Sequence, residues 1–157
     1  MHCYRGLDMY ERTTYDGVAK DQAVGYYLED SLKCLEQDPN FDTYGHIDYI
    51  CRYWPYEDKN LHYSEHADLW DEVMKHLIRL DKSIEINTRR LAVPGAVESL
   101  TELYTRYAEL GGKYVTLGSD AHAAKAVGMH FDVAQKIAKT AGLTIVYYKK
   151  RQRQLPK

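Results

Sequence analysis

The chain has 157 residues, 45% of them hydrophobic and 28% charged, with a formal net charge of −2. That length suits one domain with a real apolar core, and the near-balanced charge gives no electrostatic pull toward nucleic acid or an anionic membrane. No apolar run approaches membrane-spanning length, the start Met1-His2-Cys3-Tyr4-Arg5 lacks the apolar stretch of a secretion signal, and three cysteines without C-x-x-C spacing (Cys3, Cys34, Cys51) predict free thiols in a reducing, cytoplasmic setting.

From Asp21 to Gln37, Val24, Leu28, Leu32 and Leu35 recur at the period of a helix with one buried stripe. Asp38-Pro39-Asn40 ends it. Residues 41–45 are a short strand candidate ending at His46. Ile47 to Tyr63 has no regular pattern, and loops of that length in compact domains are often functional. A second helix is expected from a Ser64 cap, with Leu69, Val73, Leu77 and Leu80 on one face. Ser83 to Asn87 alternates like a strand. Pro94 opens a third helix carrying Val97, Leu100, Tyr104, Tyr107 and Leu110, closed by Gly111-Gly112. Lys113 to Leu117 is β-branched and apolar, the pattern of a buried strand. A fourth helix with Phe131, Ala134, Ile137 and Ala141 stops at Gly142, and Leu143 to Tyr148 is the last strand. The tail Lys149-Lys150-Arg151-Gln152-Arg153 reads as a solvated charge run. Strands and helices alternating through short turns predict an α/β layout with parallel strands, without repeats or linkers. Tyrosines 26, 27, 104 and 107 fall on helical patterns, where packing with a wet hydroxyl is the ordinary role.

Gly118-Ser119-Asp120-Ala121-His122 is the most informative stretch. An Asp and a His two apart, just past a strand, supply the two side chains a hydrolytic divalent-metal site most often uses. The bland alternative is a helix-capping Asp beside a surface His. The odds change because His46, then Glu85 with Asn87, then Asp120 with His122 all fall at carboxyl ends of successive strands. In parallel α/β barrels that rim carries the chemistry. Other residues keep two readings each. Glu85 either reaches the rim or lines the core against backbone, and Asp48 either orients an imidazole or caps a turn. Arg89 and Arg90 offer a second phosphate contact or plain surface charge. His62 and His66, spaced i and i+4, straddle the expected helix start and read as solvated, while His76 and His130 read as packing or solvent.

These segments make the chain resemble the C-terminal part of a histidinol-phosphatase of the polymerase-and-histidinol-phosphatase (PHP) superfamily. The matching pieces are His2-Cys3-Tyr4, Gly45-His46-Ile47-Asp48-Tyr49-Ile50, Glu85-Ile86-Asn87-Thr88 and Gly118-Ser119-Asp120-Ala121-His122, in family order and spacing. The resemblance covers essentially all 157 residues. It implies the C-terminal portion of a distorted (β/α)7, TIM-like barrel, a single incomplete domain over 1–157 whose N-terminal strands are missing. It further implies a metal cluster of Zn, Mn or Fe at the carboxyl rim and hydrolysis of a small phosphate monoester. The favoured substrate is L-histidinol phosphate, giving L-histidinol and phosphate in histidine biosynthesis. Carried over position by position, His2, His46, Asp120 and His122 match metal ligands. Arg52, in the loop after His46, suits a catalytic phosphate clamp, because a guanidinium fork matches phosphate oxygens.

The His-x-His pair, the further Asp and His, and the metal-bridging Glu of complete members are not in this sequence. Expected, therefore, is a fragment that binds metal weakly, is inactive alone, and forms a homo-oligomer through an exposed barrel edge. Two alternatives stay open: another PHP phosphoesterase, such as a phosphotyrosine phosphatase, and a non-catalytic truncated barrel that only self-associates.

Overall fold

In the computed structural model, which describes residues 3–156, the elements follow the alternation the periodicity implies. A short hairpin of β1 (Cys3–Tyr4) and β2 (Leu7–Asp8) precedes helix α1 (Lys20–Gln37) and strand β3 (Thr43–Tyr44). Then come α2 (Ala67–Arg79), β4 (Ser83–Asn87), α3 (Ala96–Glu109), β5 (Tyr114–Gly118), α4 (Phe131–Ala141) and β6 (Thr144–Ile145). A second hairpin, β7 (Tyr147–Lys149) with β8 (Gln152–Gln154), follows. Strands β3, β4, β5 and β6 form one parallel sheet in sequence order. Parallel neighbours need crossovers, and the intervening helices supply them, so the carboxyl ends of the strands stand side by side.

The two faces of the sheet differ. Ile84 and Ile86 of β4 are fully buried with the helix residues, and Val115, opposite Ile84, joins them. The alternate residues Ser83, Glu85 and Asn87 go to the other face with Thr116, which pairs with Glu85. On that polar face the hydroxyls of Thr43 and Thr116 meet at 3.0 Å. They belong to strands two apart, which in a flat sheet are about 9.5 Å from each other. The sheet therefore curls toward its polar face.

The helices cover the apolar face with the stripes their periods specify. In α2, Trp70, Val73, Met74 and Leu77 are all buried, each contributing roughly 1.5–3 kcal/mol by leaving water. α1 buries Val24, Tyr27, Leu28 and Leu35, and α3 buries Leu100, Leu103, Tyr104 and Tyr107. The Tyr104 and Tyr107 hydroxyls donate to the carbonyls of Glu85 (2.5 Å) and Lys82 (3.1 Å), so these tyrosines are core residues with polar ends fastened to β4 and the turn before it. Among the described residues, no helix is long and apolar enough to cross a membrane.

Three boundaries differ from expectation. α2 starts at Ala67 with His66 as its N-cap, while Ser64 sits in a preceding 3-10 turn. The His66 ring lies 2.8 Å from the Asp21 carbonyl and so ties α2 to the start of α1. α3 starts after Gly95, whose φ of +79° turns the chain in, and not at Pro94. The last strand is split: Thr144 and Ile145 join the parallel sheet, but Tyr147–Lys149 turns away into the hairpin. Lys150 and Arg151 both have positive φ there, as a two-residue hairpin turn requires. The basic tail is accordingly not a loose charge run. The Arg153 guanidinium lies 4.0 Å from the centre of the Tyr114 ring and 3.0 Å from Asp81, and Arg151 pairs with Asp42 at 3.2 Å.

Residues 47–63 lack regular strands yet are anchored, because Ile47, Ile50, Cys51, Trp54 and Leu61 are buried in the core. Cys51 is a free thiol, and burial pushes it well up.

Candidate active site

Three of the rim residues, His46, Asn87 and Asp120, meet in one pocket. His46, Tyr49, Arg52, Asn87, Arg89 and Asp120 all line it. His46 follows β3 and Asp120 follows β5, and both have left-handed backbone, with φ of +61° and +47°. Such conformations cost of order 1–3 kcal/mol each and concentrate at functional sites. Here they turn the chain sharply at the strand ends.

Glu85 rises from β4 between these two turns. One carboxylate oxygen, Oε2, accepts the backbone N–H of His46 at 3.0 Å and lies 3.0 Å from His46 Nδ1. A carboxylate only accepts, so Nδ1 carries a proton, and in the neutral ring that leaves the lone pair on Nε2. Asn87 Nδ2 is 3.2 Å from the same Nδ1 and 3.3 Å from Glu85 Oε2, and with Nδ1 protonated it is Glu85 that receives the amide. Burial pushes the Glu85 carboxyl up, but the hydrogen bonds from the His46 ring and backbone outweigh it and hold the group below its usual range. Both sequence readings of Glu85 hold: it reaches the rim, and it also bonds backbone.

Asp120 is the second centre. Its Oδ2 accepts Arg52 Nη1 at 2.7 Å, its Oδ1 lies 3.2 Å from His122 Nε2, and its backbone carbonyl accepts Arg89 Nη1 at 2.9 Å. Burial pushes this carboxyl up too, and the bond from Arg52, with His122 adding to it, brings the net position below the usual value. Arg52 is flanked by the rings of Tyr49 and Tyr53, at 5.8 and 5.4 Å from its guanidinium carbon. Tyr49 in turn stacks on the His46 ring, with centroids 5.7 Å apart and planes 16° apart. A continuous line of contacts therefore runs from Glu85 through His46, Tyr49 and Arg52 to Asp120. Sequence reasoning missed the two tyrosines; the Tyr49-x-x-Arg52-Tyr53 spacing was the available signal.

Not every candidate joins the pocket in the expected way. His2 lies outside the described residues. His122 reaches Asp120 but its side chain is 70% exposed. Asp48 neither orients the His46 ring nor caps its turn with its side chain: it accepts Arg90 Nη1 at 2.7 Å, and Arg90 also donates to the Lys59 carbonyl. That buried pair pins the 47–63 loop to the β4–α3 turn, so Arg90 is structural and not a surface charge. His62 pairs with Asp58 at 2.8 Å and is half-exposed.

The donor types at the rim, imidazole nitrogens and carboxylate oxygens, fit a divalent ion such as zinc. A ring fixed through Nδ1 by a carboxylate is the arrangement that presents Nε2 to a metal. Among the described residues, the one group of three donors whose atoms all lie within 4.8 Å is elsewhere, at Asp58, His62 and Glu65. Lys20 Nζ reaches Asp58 at 2.8 Å and Glu65 at 2.9 Å, so an ammonium already balances that cluster.

Comparison with known proteins agrees with this geometry. No protein-family profile matches the chain. A probable histidinol-phosphatase of Clostridium acetobutylicum is 41% identical over 151 residues, covering 96% of this chain and 59% of that protein. The histidinol-phosphatase of Lactococcus lactis is 32% identical, covering 90% and 53%, and a probable histidinol-phosphatase of Thermotoga maritima is 31% identical, covering 72% and 46%. A crystal structure of histidinol phosphate phosphatase from Lactococcus lactis, complexed with zinc, L-histidinol and phosphate, superposes with a TM-score of 0.91 at 29% identity. That superposition covers 98% of this chain and 59% of the other. The chain spans about half to three fifths of the length of the relatives it matches. In sequence and in fold the chain is similar to histidinol-phosphatases over almost all of its own length.

Proposed function

We propose that this chain carries part of the active site of a metal-dependent phosphatase that hydrolyses L-histidinol phosphate to L-histidinol and phosphate. The observation that carries the reading is the placing of His46 and Asp120 at the strand-end turns on either side of β4, both lining one pocket, in a fold that superposes on a zinc-, histidinol- and phosphate-bound histidinol phosphate phosphatase.

His46, Asp120 and His122, with His2, would hold divalent ions such as zinc. Bound there, such ions supply a hydroxide near neutral pH and offset charge on phosphoryl oxygens. The chain's own residues do the rest. Glu85 keeps the His46 ring in one tautomer and orientation. Arg52 and Arg89 place two guanidinium groups beside Asp120, where planar forks suit the phosphoryl oxygens. Tyr49 holds the His46 ring and Arg52 at a fixed separation.

We also read the curled parallel sheet as an arc of a barrel. The contact of Thr43 with Thr116 supports this, as does a strand order without reversal. Strands β3 and β6 are each paired on one side among the described residues, so the remaining edges suit further strands or a second copy of the chain.

The test is phosphate release from L-histidinol phosphate by the protein that contains these residues, with and without zinc or manganese, and with phosphotyrosine as the competing substrate. Asp120→Ala should lower metal-dependent release by more than about a hundredfold, since a metal ligand is lost. Absence of metal-dependent release, or full activity in Asp120→Ala, refutes the assignment.

A further inference from the structure

Asp120 raises a conflict at the rim. As a metal ligand its carboxylate must face a cation, yet Arg52 Nη1 already occupies Oδ2 at 2.7 Å. A charge-assisted hydrogen bond of that length is strong, and the guanidinium that makes it competes with a divalent cation for the same carboxylate. Arg89 leaves the carboxylate much freer: its strong bond goes to the backbone carbonyl of Asp120, and its Nε is 3.8 Å from Oδ2. The two arginines are thus not equivalent.

Arg52 also has contacts that do not depend on Asp120. Its guanidinium already lies between the Tyr49 and Tyr53 rings, which hold a cation without using a carboxylate. Both Arg52 and Asp120 border the pocket, so a small movement of the guanidinium keeps it over the same space.

We propose that Arg52 is an exchangeable counter-ion for Asp120. Without metal, its guanidinium holds the carboxylate and keeps a half-buried negative charge paired. When a divalent ion takes the carboxylate, the guanidinium lets go of Oδ2, stays held by its two tyrosines and becomes available to an incoming phosphate. Metal and phosphate binding are then coupled through one side chain, and by linkage each strengthens the other. The inference rests on the metal-dependent reading above.

The experiment measures zinc affinity by competition with a chromophoric chelator, counting only the component lost in Asp120→Ala. Arg52→Gln should bind zinc at least about tenfold more tightly than the unaltered chain, because no charge-assisted bond is surrendered. Arg89→Gln removes the same charge from the same pocket and should change the affinity by less than about threefold, a general field effect only. Inorganic phosphate should bind more tightly in the presence of zinc to the unaltered chain, and this enhancement should be smaller in Arg52→Gln, where only the direct attraction of the ion for phosphate is left. Equal tightening in both arginine variants, or zinc affinity unmoved by Arg52→Gln, overturns the exchange while leaving the metal site standing. If the folded chain and Arg52→Gln both lack any Asp120-dependent zinc binding, the metal-dependent reading itself fails and takes the exchange with it.

Discussion

The backbone of Gly118 lies flat against the carboxylate of Glu85: a Cβ on Gly118 would stand 1.9 Å from Glu85 Oε1. Gly45 approaches the same carboxylate from the other side, where an added Cβ would stand 3.3 Å from Oε2. Glycines at the ends of the two flanking strands therefore make the slot through which Glu85 reaches His46. Gly118→Ala should force the carboxylate out of this slot and lower stability by about 1–3 kcal/mol, the range for overpacking. Thermal unfolding measures this, and Glu85→Ala in the same background should return part of the loss. Additive effects of the two substitutions would show that the slot is not tight.

The Asp48–Arg90 pair is buried, with side-chain exposures of 7% and 10%. Removing one partner leaves an unpaired charge in the interior, so Arg90→Met should destabilise the chain by about 3–5 kcal/mol. Replacing both, Asp48→Leu with Arg90→Met, should cost less than the single change. Urea denaturation of the three proteins checks the order.

Acid should loosen the attachment of the 47–63 loop to α1. Burial pushes the Asp58 carboxyl up, but Lys20, the Asn60 N–H and His62 pull harder and bring it down to about 2. A carboxyl whose folded value lies below its unfolded one stabilises the fold above the unfolded value, and that contribution disappears as pH falls through the folded value. Stability at pH 5 should therefore exceed that at pH 2, and Asp58→Asn should make the decline between about pH 4 and pH 2 shallower. Urea midpoints across that range decide it; an unchanged slope in Asp58→Asn would refute the role of the Lys20 contact.

The C-terminal hairpin should contribute to stability through Arg153, whose guanidinium covers Tyr114 and bonds Asp81. Arg153→Ala should cost about 1 kcal/mol, as a cation over an aromatic face plus a part-exposed ion pair would. Arg153→Lys should recover less than half, since a point charge replaces a planar fork. A neutral Arg153→Ala in thermal unfolding would return this tail to the status of a solvated run.

Local pattern was enough for much of the fold. The stripes of α1, α2, α3 and α4 and the alternation of β4 are set by residues three, four or two apart, so the sequence carries them directly. The order of polar residues at strand ends, His46, Glu85, Asp120 and His122, was also legible, because a strand that stops and a turn that begins are local events. Contacts between distant segments were not. Arg52 meets Asp120 across 68 positions, and Asp48 meets Arg90 across 42. Neither pairing leaves a periodic trace, so sequence could nominate Arg52 for phosphate without showing that Asp120 already held it. The hairpin turn at Lys150 and Arg151 lacks the Asn or Gly that marks such turns, and only the anchoring of Arg151 and Arg153 on Asp42, Asp81 and Tyr114 explains it. Sequence alone determined which residues line up at the rim. The tertiary structure decided which of them face one another, because charge pairing depends on distances of a few ångströms that only the packed chain sets.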